Sequence, residues 1–187
     1  LDLCAGPGGK AALLGSLAAI DGATVDAVEV APHRAELIRG AVRDLPVRVK
    51  VADGRNPGFP EASFDRVLVD APCSGLGALR RRPEARWVKR EGDIAELNQL
   101  QAELLASAVR LARPGGVVVY STCSPDVRET RGIVDKQKAL GGVEELDARE
   151  YVGAMTDVGA GPSVQMWPHR HGTDAMFFAV LRKLPAS

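Results

Sequence analysis

Cys4, Cys73 and Cys123 are the residues of this 187-residue sequence best suited to nucleophilic chemistry. They are too few and too far apart for a disulfide framework, and they lack the paired spacing of a structural zinc site. They are expected as reduced thiols. Two of them occupy matching positions: Asp70-Ala71-Pro72-Cys73-Ser74-Gly75 closes one apolar run, and Tyr120-Ser121-Thr122-Cys123-Ser124 closes another. If those runs are neighbouring strands, both loops emerge at one sheet edge, and both thiols face one pocket beside the Asp70 carboxylate. A lone cysteine reads as readily as a small buried apolar residue. The matched pair, with a strand-end carboxylate, favours a functional reading.

The second chemical signal is the opening segment Leu1-Asp2-Leu3-Cys4-Ala5-Gly6-Pro7-Gly8-Gly9-Lys10. It reads as a strand running through a glycine turn into a helix, whose free N–H groups and close backbone suit a ligand. A phosphate-gripping Walker loop is excluded, because Cys4 stands where a glycine is needed and Ala11 where Ser or Thr would bind Mg²⁺. A dinucleotide fingerprint fits formally as Gly6-x-Gly8-x-x-Ala11, with Glu29 ending the next strand to meet a ribose diol. The loop by itself leaves a nicotinamide cofactor and S-adenosylmethionine both open.

A thiolate beside a methyl donor suits a specific reaction. Carbon 5 of cytosine is a poor nucleophile, but thiolate addition at carbon 6 makes an enamine whose carbon 5 attacks the methyl sulfonium. Loss of the carbon 5 proton then expels the thiol. The nucleophile needs a lowered pKa, since a free thiol at ~8.5 is mostly protonated at neutral pH. Asp70 is placed either to stabilise the protonated ring or to hold the cofactor's amino group. A nicotinamide oxidoreductase gives the converging thiols no role. The residues alone do not rank Cys73 against Cys123.

The elements that must position these groups follow from short apolar runs alternating with helical periodicity, which argues for parallel βαβ units. Strands are predicted over residues 1–4, 24–30, 47–52, 66–70 and 117–120, with a late antiparallel pair from 163–167 and 176–182. Helices are predicted over 10–20, 32–44 and 94–113. The last has Asp93 as its cap and Glu96 as the capping-box partner, and Pro114-Gly115-Gly116 stops it. The fold class is α/β: a mostly parallel, doubly wound sheet with a C-terminal antiparallel strand pair.

Composition bounds the remaining options. At 45% hydrophobic and 26% charged, the chain suits one soluble α/β domain, and no apolar stretch approaches the ~20 residues that cross a bilayer. No signal-like segment is visible. Lys plus Arg and Asp plus Glu both number 24, so global charge does not favour nucleic acid and local charge must carry that reading. Arg80, Arg81, Arg82, Arg86, Lys89 and Arg90 gather around Trp87 in the stretch after Cys73, where phosphate contact is expected. Trp87 suits either stacking on a base or packing on the domain. Asp53 reads as an acceptor for an adenine amino group or as a turn cap before Gly54. His33 is expected at the surface. His169 and His171, near Asp174, are expected to shape the base pocket rather than hold a metal.

These motifs together resemble the Sun/Fmu-type RNA (cytosine-5)-methyltransferases, whose bacterial members modify small-subunit ribosomal RNA. The resemblance rests on the opening Leu-Asp-Leu-Cys-Ala-Gly-Pro-Gly-Gly-Lys, then Asp-Ala-Pro-Cys-Ser-Gly, then Tyr-Ser-Thr-Cys-Ser, then Trp167-Pro168-His169-Arg170-His171-Gly172-Thr173-Asp174 with Phe177-Phe178. It implies a Rossmann-like class I S-adenosylmethionine-dependent methyltransferase. It implies cofactor contacts from Cys4 through Lys10, Glu29, Asp53 and Asp70, with Arg34 a further candidate. It also implies Cys123 as the nucleophile and Cys73 as the thiol that assists release of methylated RNA. One departure is that Pro125-Asp126-Val127-Arg128-Glu129-Thr130 keeps only part of an acidic stretch usual in the family. The expectation is a monomeric, cytoplasmic catalytic domain, cut from a longer chain whose RNA-binding regions lie upstream, acting on ribosomal RNA. The alternatives are a transfer-RNA enzyme of the same family and a non-catalytic RNA-binding assembly factor.

Overall fold

The computed structural model describes residues 1–88 and 90–185. Its elements in chain order are α1 (Gly9–Asp21), β1 (Val25–Glu29), α2 (Pro32–Ala41), β2 (Val47–Val51), β3 (Phe64–Asp70), α3 (Ala85–Val88), α4 (Glu91–Leu111), β4 (Ala112–Thr122), α5 (Arg131–Leu140), β5 (Val143–Leu146), β6 (Val164–Gln165), α6 (Pro168–His171) and β7 (Phe177–Lys183).

β1 pairs with β2, and β3 with β4, all in parallel; β7 lies antiparallel to β4, β5 and β6. The opening segment joins the two halves. Asp2 bridges Ala27 of β1 on one side and Leu68 of β3 on the other, both in parallel. Its backbone ladder includes Asp2 N–H to Asp26 O at 2.8 Å and Leu3 N–H to Leu68 O at 2.9 Å. The predicted strand over 1–4 thus does the work of a central strand through a single-residue bridge on each side. From it the chain winds outward through β1 and β2, then returns to its other flank as β3. Ligands of such sheets bind at this reversal, beyond the carboxyl ends of the strands.

A parallel sheet must be covered on both faces, and β4 shows how. Val118 and Tyr120 face the main core, which includes Leu104, Leu105 and Leu111 of α4 and Ile133 and Val134 of α5. Val117 and Val119, one step out of phase, pack with Val158, Val164 and Val180 on the opposite face. α1 and α2 bury Ala11 and Ile38 against Ala5 and Ala27.

Four elements differ from expectation. α4 begins at Glu91, so Asp93 is not the cap residue; it sits in the first turn and accepts the Arg90 N–H at 3.0 Å, the task predicted for Glu96. Pro114-Gly115-Gly116 does not stop the helix. α4 ends at Leu111, and the three residues lie inside β4, where a register shift against β3 accommodates them. α5 and β5 had no counterpart in the sequence reading. β5 pairs with β7, and its Glu145 accepts from Arg131 at 2.6 Å and Lys138 at 2.8 Å, so this strand is held by ion pairs as well as by its ladder.

Candidate active site

The glycine loop is shaped from below by Glu29 and Arg34. Glu29, buried at the end of β1, accepts the Ala31 N–H at 2.9 Å through Oε1, while its Oε2 lies 3.5 Å from Arg34 Nε. Arg34 Nη2 donates to the Gly6 carbonyl at 2.8 Å. A Cβ at Gly6 would meet Glu29 Oε2 and the Arg34 guanidinium, so a side chain there would have to displace the pair that shapes the loop. Gly8 holds a φ of +117° against Ile38 and launches α1, leaving Pro7 and Gly9 exposed at the helix entrance. Ala5 is buried, and burial pushes the Cys4 thiol well above the usual range.

Two carboxylates stand at the same edge. Lys10 Nζ donates to Asp70 Oδ2 at 2.7 Å, and Ser121 Oγ donates to Asp70 Oδ1 at 2.9 Å. Asp2 is only 1% exposed, and among the described residues neither of its oxygens has a hydrogen-bond partner. Burial raises its pKa to about 6, opposed in part by the nearby Cys4 backbone N–H, which falls short of a well-formed hydrogen bond. A buried carboxylate without a strong partner is costly, so its presence beside the glycine loop fits a ligand that supplies a donor. Asp53 takes the Arg55 backbone N–H at 2.9 Å and Arg55 Nη2 at 2.7 Å, the turn-capping alternative for this residue.

β3 and β4 run side by side to Asp70 and Ser121, and Ala71 N–H still donates to Ser121 O at 2.9 Å. The loops beyond bring Cys73 Sγ to 3.4 Å from Cys123 Sγ. The pair is asymmetric. Hydrogen bonding from Cys73 lowers the Cys123 thiol to about 7 against the opposing effect of burial, and Arg82's charge helps in the same direction. The Cys73 thiol is pushed up, by that shared hydrogen bond first and by burial second.

A residue the sequence reading passed over holds both thiol loops. Glu129 is fully buried. Its carboxylate accepts from Ser74 N at 2.8 Å, Ser74 Oγ at 2.5 Å, Ser124 Oγ at 2.6 Å and Gln101 Nε2 at 3.1 Å. Withdrawing a carboxylate from water costs several kcal/mol, and these charge-assisted bonds offset it. The signal in the sequence was the remnant acidic stretch 125–130, but its partners lie up to 55 residues away.

The basic loop divides in two. Arg80 Nε and Arg81 Nε each donate at 2.7 Å to the buried carboxylate of Asp174, while their side chains remain 49% and 69% exposed. Arg82, Arg86 and Trp87 are exposed, and Lys89 lies outside the described residues. Gly77 threads between the two halves of the site: its N–H donates to Cys123 O and its carbonyl accepts from Ala175 N, both at 2.9 Å. His171 is committed to structure. Its Nδ1 accepts the Trp167 N–H at 2.8 Å, so Nε2 carries the proton and donates to Thr156 O at 2.8 Å. His169 and His33 are exposed.

A cofactor cradle, two converging thiols and a basic rim meet at one sheet edge, and residues 1–182 match the family described as 16S rRNA methyltransferase RsmB/F. The chain belongs to the RsmB/F family. Rv1407 of Mycobacterium tuberculosis (strain ATCC 25618 / H37Rv) is 56% identical over 185 residues, which cover 98% of this chain and 40% of that protein. Ribosomal RNA small subunit methyltransferase B of Sodalis glossinidius is 37% identical over 187 residues, covering 98% of this chain and 41% of its own. The chain therefore spans about two fifths of the length of these curated relatives. Among solved structures, PH0851 superposes with a TM-score of 0.90 at 34% identity, covering 97% of this chain and 42% of its own. NSun6 from Pyrococcus horikoshii, solved with SFG, an S-adenosylmethionine analogue, gives 0.83 at 27% identity, covering 99% of this chain and 47% of its own. The fold is the Rossmann-like class I methyltransferase fold, and S-adenosylmethionine is the cofactor of the RsmB/F family. Among the described residues no helix is long and apolar enough to cross a membrane.

Proposed function

We propose that this chain is a catalytic domain that methylates carbon 5 of a cytosine in RNA, with small-subunit ribosomal RNA as substrate, through a covalent bond between Cys123 and carbon 6 of the base. The observation that carries the reading is the 3.4 Å contact between Cys73 and Cys123, in which one thiol is acidified by the other beside the Asp70 carboxylate. The loop from Cys4 to Lys10 and Glu29 would hold S-adenosylmethionine, with the unpartnered Asp2 at the same edge. When bound, that cofactor supplies an electrophilic methyl group.

The residues divide the work. Cys123 adds to carbon 6 as a thiolate, which a thiol near neutrality provides far more often than an ordinary one. Asp70, fixed by Lys10 and Ser121, faces the ring nitrogen on which protonation stabilises the adduct. Cys73 assists departure of the methylated base once the carbon 5 proton has left. Flipping a cytosine into such a pocket costs a few kcal/mol, so loops or partly opened RNA are favoured. The match to the RsmB/F family supports ribosomal RNA over transfer RNA.

The test uses the full-length protein, radiolabelled S-adenosylmethionine, and small-subunit ribosomal RNA and transfer RNA in parallel. Label is expected on carbon 5 of a cytosine in the ribosomal RNA and is expected to vanish in Cys123→Ala. Cys73→Ala is expected to accumulate a protein–RNA adduct. Turnover that survives Cys123→Ala and dies in Cys73→Ala would reverse the two roles, and label confined to transfer RNA would move the substrate.

A further inference from the structure

We infer that Glu129 is the positioning residue that sets the contact between the two thiols. It touches neither sulfur. It grips the residue that follows each one, Ser74 after Cys73 and Ser124 after Cys123, with a single carboxylate.

Each cysteine is bracketed between two anchors. On the near side lies the end of the β3–β4 ladder, whose last bond is Ala71 N–H to Ser121 O. Both cysteines lie beyond that bond, where nothing in a strand pairing fixes their separation. On the far side Glu129 binds both loops, and Ser74 Oγ and Ser124 Oγ approach to 3.4 Å against it. Glu129 is itself anchored: Tyr120 Oη donates to its backbone carbonyl at 2.8 Å, and Gln101 of α4 reaches its carboxylate while also holding Pro72 O at 2.8 Å. Gly77 N–H on Cys123 O ties the same loops by a second thread, but that bond does not reach the Cys73–Ser74 side.

The donor pattern explains why a carboxylate is required. Ser74 N–H, Ser74 O–H, Ser124 O–H and Gln101 N–H all point at the two oxygens, and only an acceptor on both sides satisfies them together. A glutamine of the same shape turns an NH₂ toward at least one of these donors, and an aspartate is one methylene too short. The catalytic meaning of this clamp rests on the two-thiol chemistry proposed above; its geometric meaning does not.

The experiment reads sulfur proximity directly. Diamide oxidises a thiol pair in two steps: one thiolate adds across its N=N bond, and the second thiol displaces the resulting hydrazine, which leaves with both electrons and both protons as the S–S bond forms. In the native full-length protein, linkage of Cys73 to Cys123 is followed by peptide mass spectrometry for wild type, Glu129→Gln and Ser124→Ala, with thermal melts in parallel. Linkage is expected to slow by about tenfold in Glu129→Gln and by less in Ser124→Ala, which removes one donor from one loop. The apparent pKa of Cys123 alkylation is expected to rise in Glu129→Gln, because the Cys73 hydrogen bond is lost. A fall would mean that Glu129 acts through its charge alone, and would overturn the inference. So would unchanged linkage in the folded variants. If Glu129→Gln does not fold, Ser124→Ala decides by the same criterion. Should the protein methylate no cytosine while linkage still slows, the clamp stands and the proposed reaction falls; cytosine methylation with unchanged linkage has the opposite meaning.

Discussion

Lys10 Nζ sits 2.7 Å from Asp70 Oδ2, and this pair ties the first turn of the helix behind the glycine loop to the strand end that precedes Cys73. The cofactor half of the site and the thiol half thus share one carboxylate. The pair is partly exposed, with side chains 52% and 29% accessible, so its worth to stability is small, about 1 kcal/mol or less. Its worth to catalysis is larger if Asp70 faces the reacting base. Asp70→Asn is expected to cut methyl transfer roughly a hundredfold or more while moving Tm by only a few degrees. A variant that unfolds, or one that keeps full turnover, contradicts this division.

The asymmetry of the thiols yields a pH prediction. Cys123 is held down to about 7 chiefly by the hydrogen bond from Cys73. Cys73→Ala removes the donor and leaves burial, which pushes the other way. The pH profile of Cys123 alkylation by iodoacetamide should therefore move upward toward the ordinary thiol range of about 8.5. An unmoved profile would show that something other than Cys73 acidifies Cys123.

What was readable in the sequence was what local spacing dictates. The glycine loop, Glu29 at the end of β1 and the matched strand-end cysteines are contiguous motifs, and each lies where the reading put it. The misses have physical causes. β5, with Glu144 and Glu145 in a four-residue strand, lacks an apolar alternation; it becomes a strand because β7 offers a free edge and Arg182, Arg131 and Lys138 take its charges. α5 buries Ile133, Val134 and Gln137 on an otherwise polar helix, too short a stripe to stand out. Glu129 was seen only as the remnant of an acidic stretch, because its partners Ser74 and Gln101 become neighbours only after β3, α4 and β4 have packed. The pairing of Arg80 and Arg81 with Asp174 is equally invisible locally, because Asp174 lies over 90 residues on.

Asp2 gives a stability prediction with a definite sign. Burial raises its folded pKa to about 6, whereas an unfolded aspartate titrates near 3.9. Between those values the folded chain keeps a proton that the unfolded chain has released, so this group makes stability fall as pH rises from about 4 to about 6, and the loss is complete above that. Two units correspond to a penalty on the order of 3 kcal/mol at neutral pH. Asp2→Asn should flatten that part of the profile and raise the denaturant midpoint at pH 7. It should also weaken S-adenosylmethionine binding, measured by calorimetry, if the carboxylate is kept for the ligand. A variant that gains stability and binds the cofactor as before would leave the orphaned carboxylate without that purpose.

The basic loop holds arginines paired within the fold and an arginine left exposed. Arg80 has its Nε on the buried Asp174, whereas Arg82 is exposed and its charge reaches the Cys123 thiol. Arg80→Ala should therefore act first on stability, costing about 1 kcal/mol, since one charge-assisted bond is lost from a half-exposed side chain and Arg81 stays on the same carboxylate. Arg82→Ala should leave Tm in place and weaken RNA binding. Each phosphate contact removed from single-stranded RNA lowers the slope of log affinity against log salt by about 0.7, so titrations at several salt concentrations distinguish a lost contact from a disturbed fold. The expected pattern is a shallower slope with unchanged Tm for Arg82→Ala, and a lower Tm with nearly the wild-type slope for Arg80→Ala. The reverse pattern would mean that Asp174 holds Arg80 loosely and that RNA takes it over.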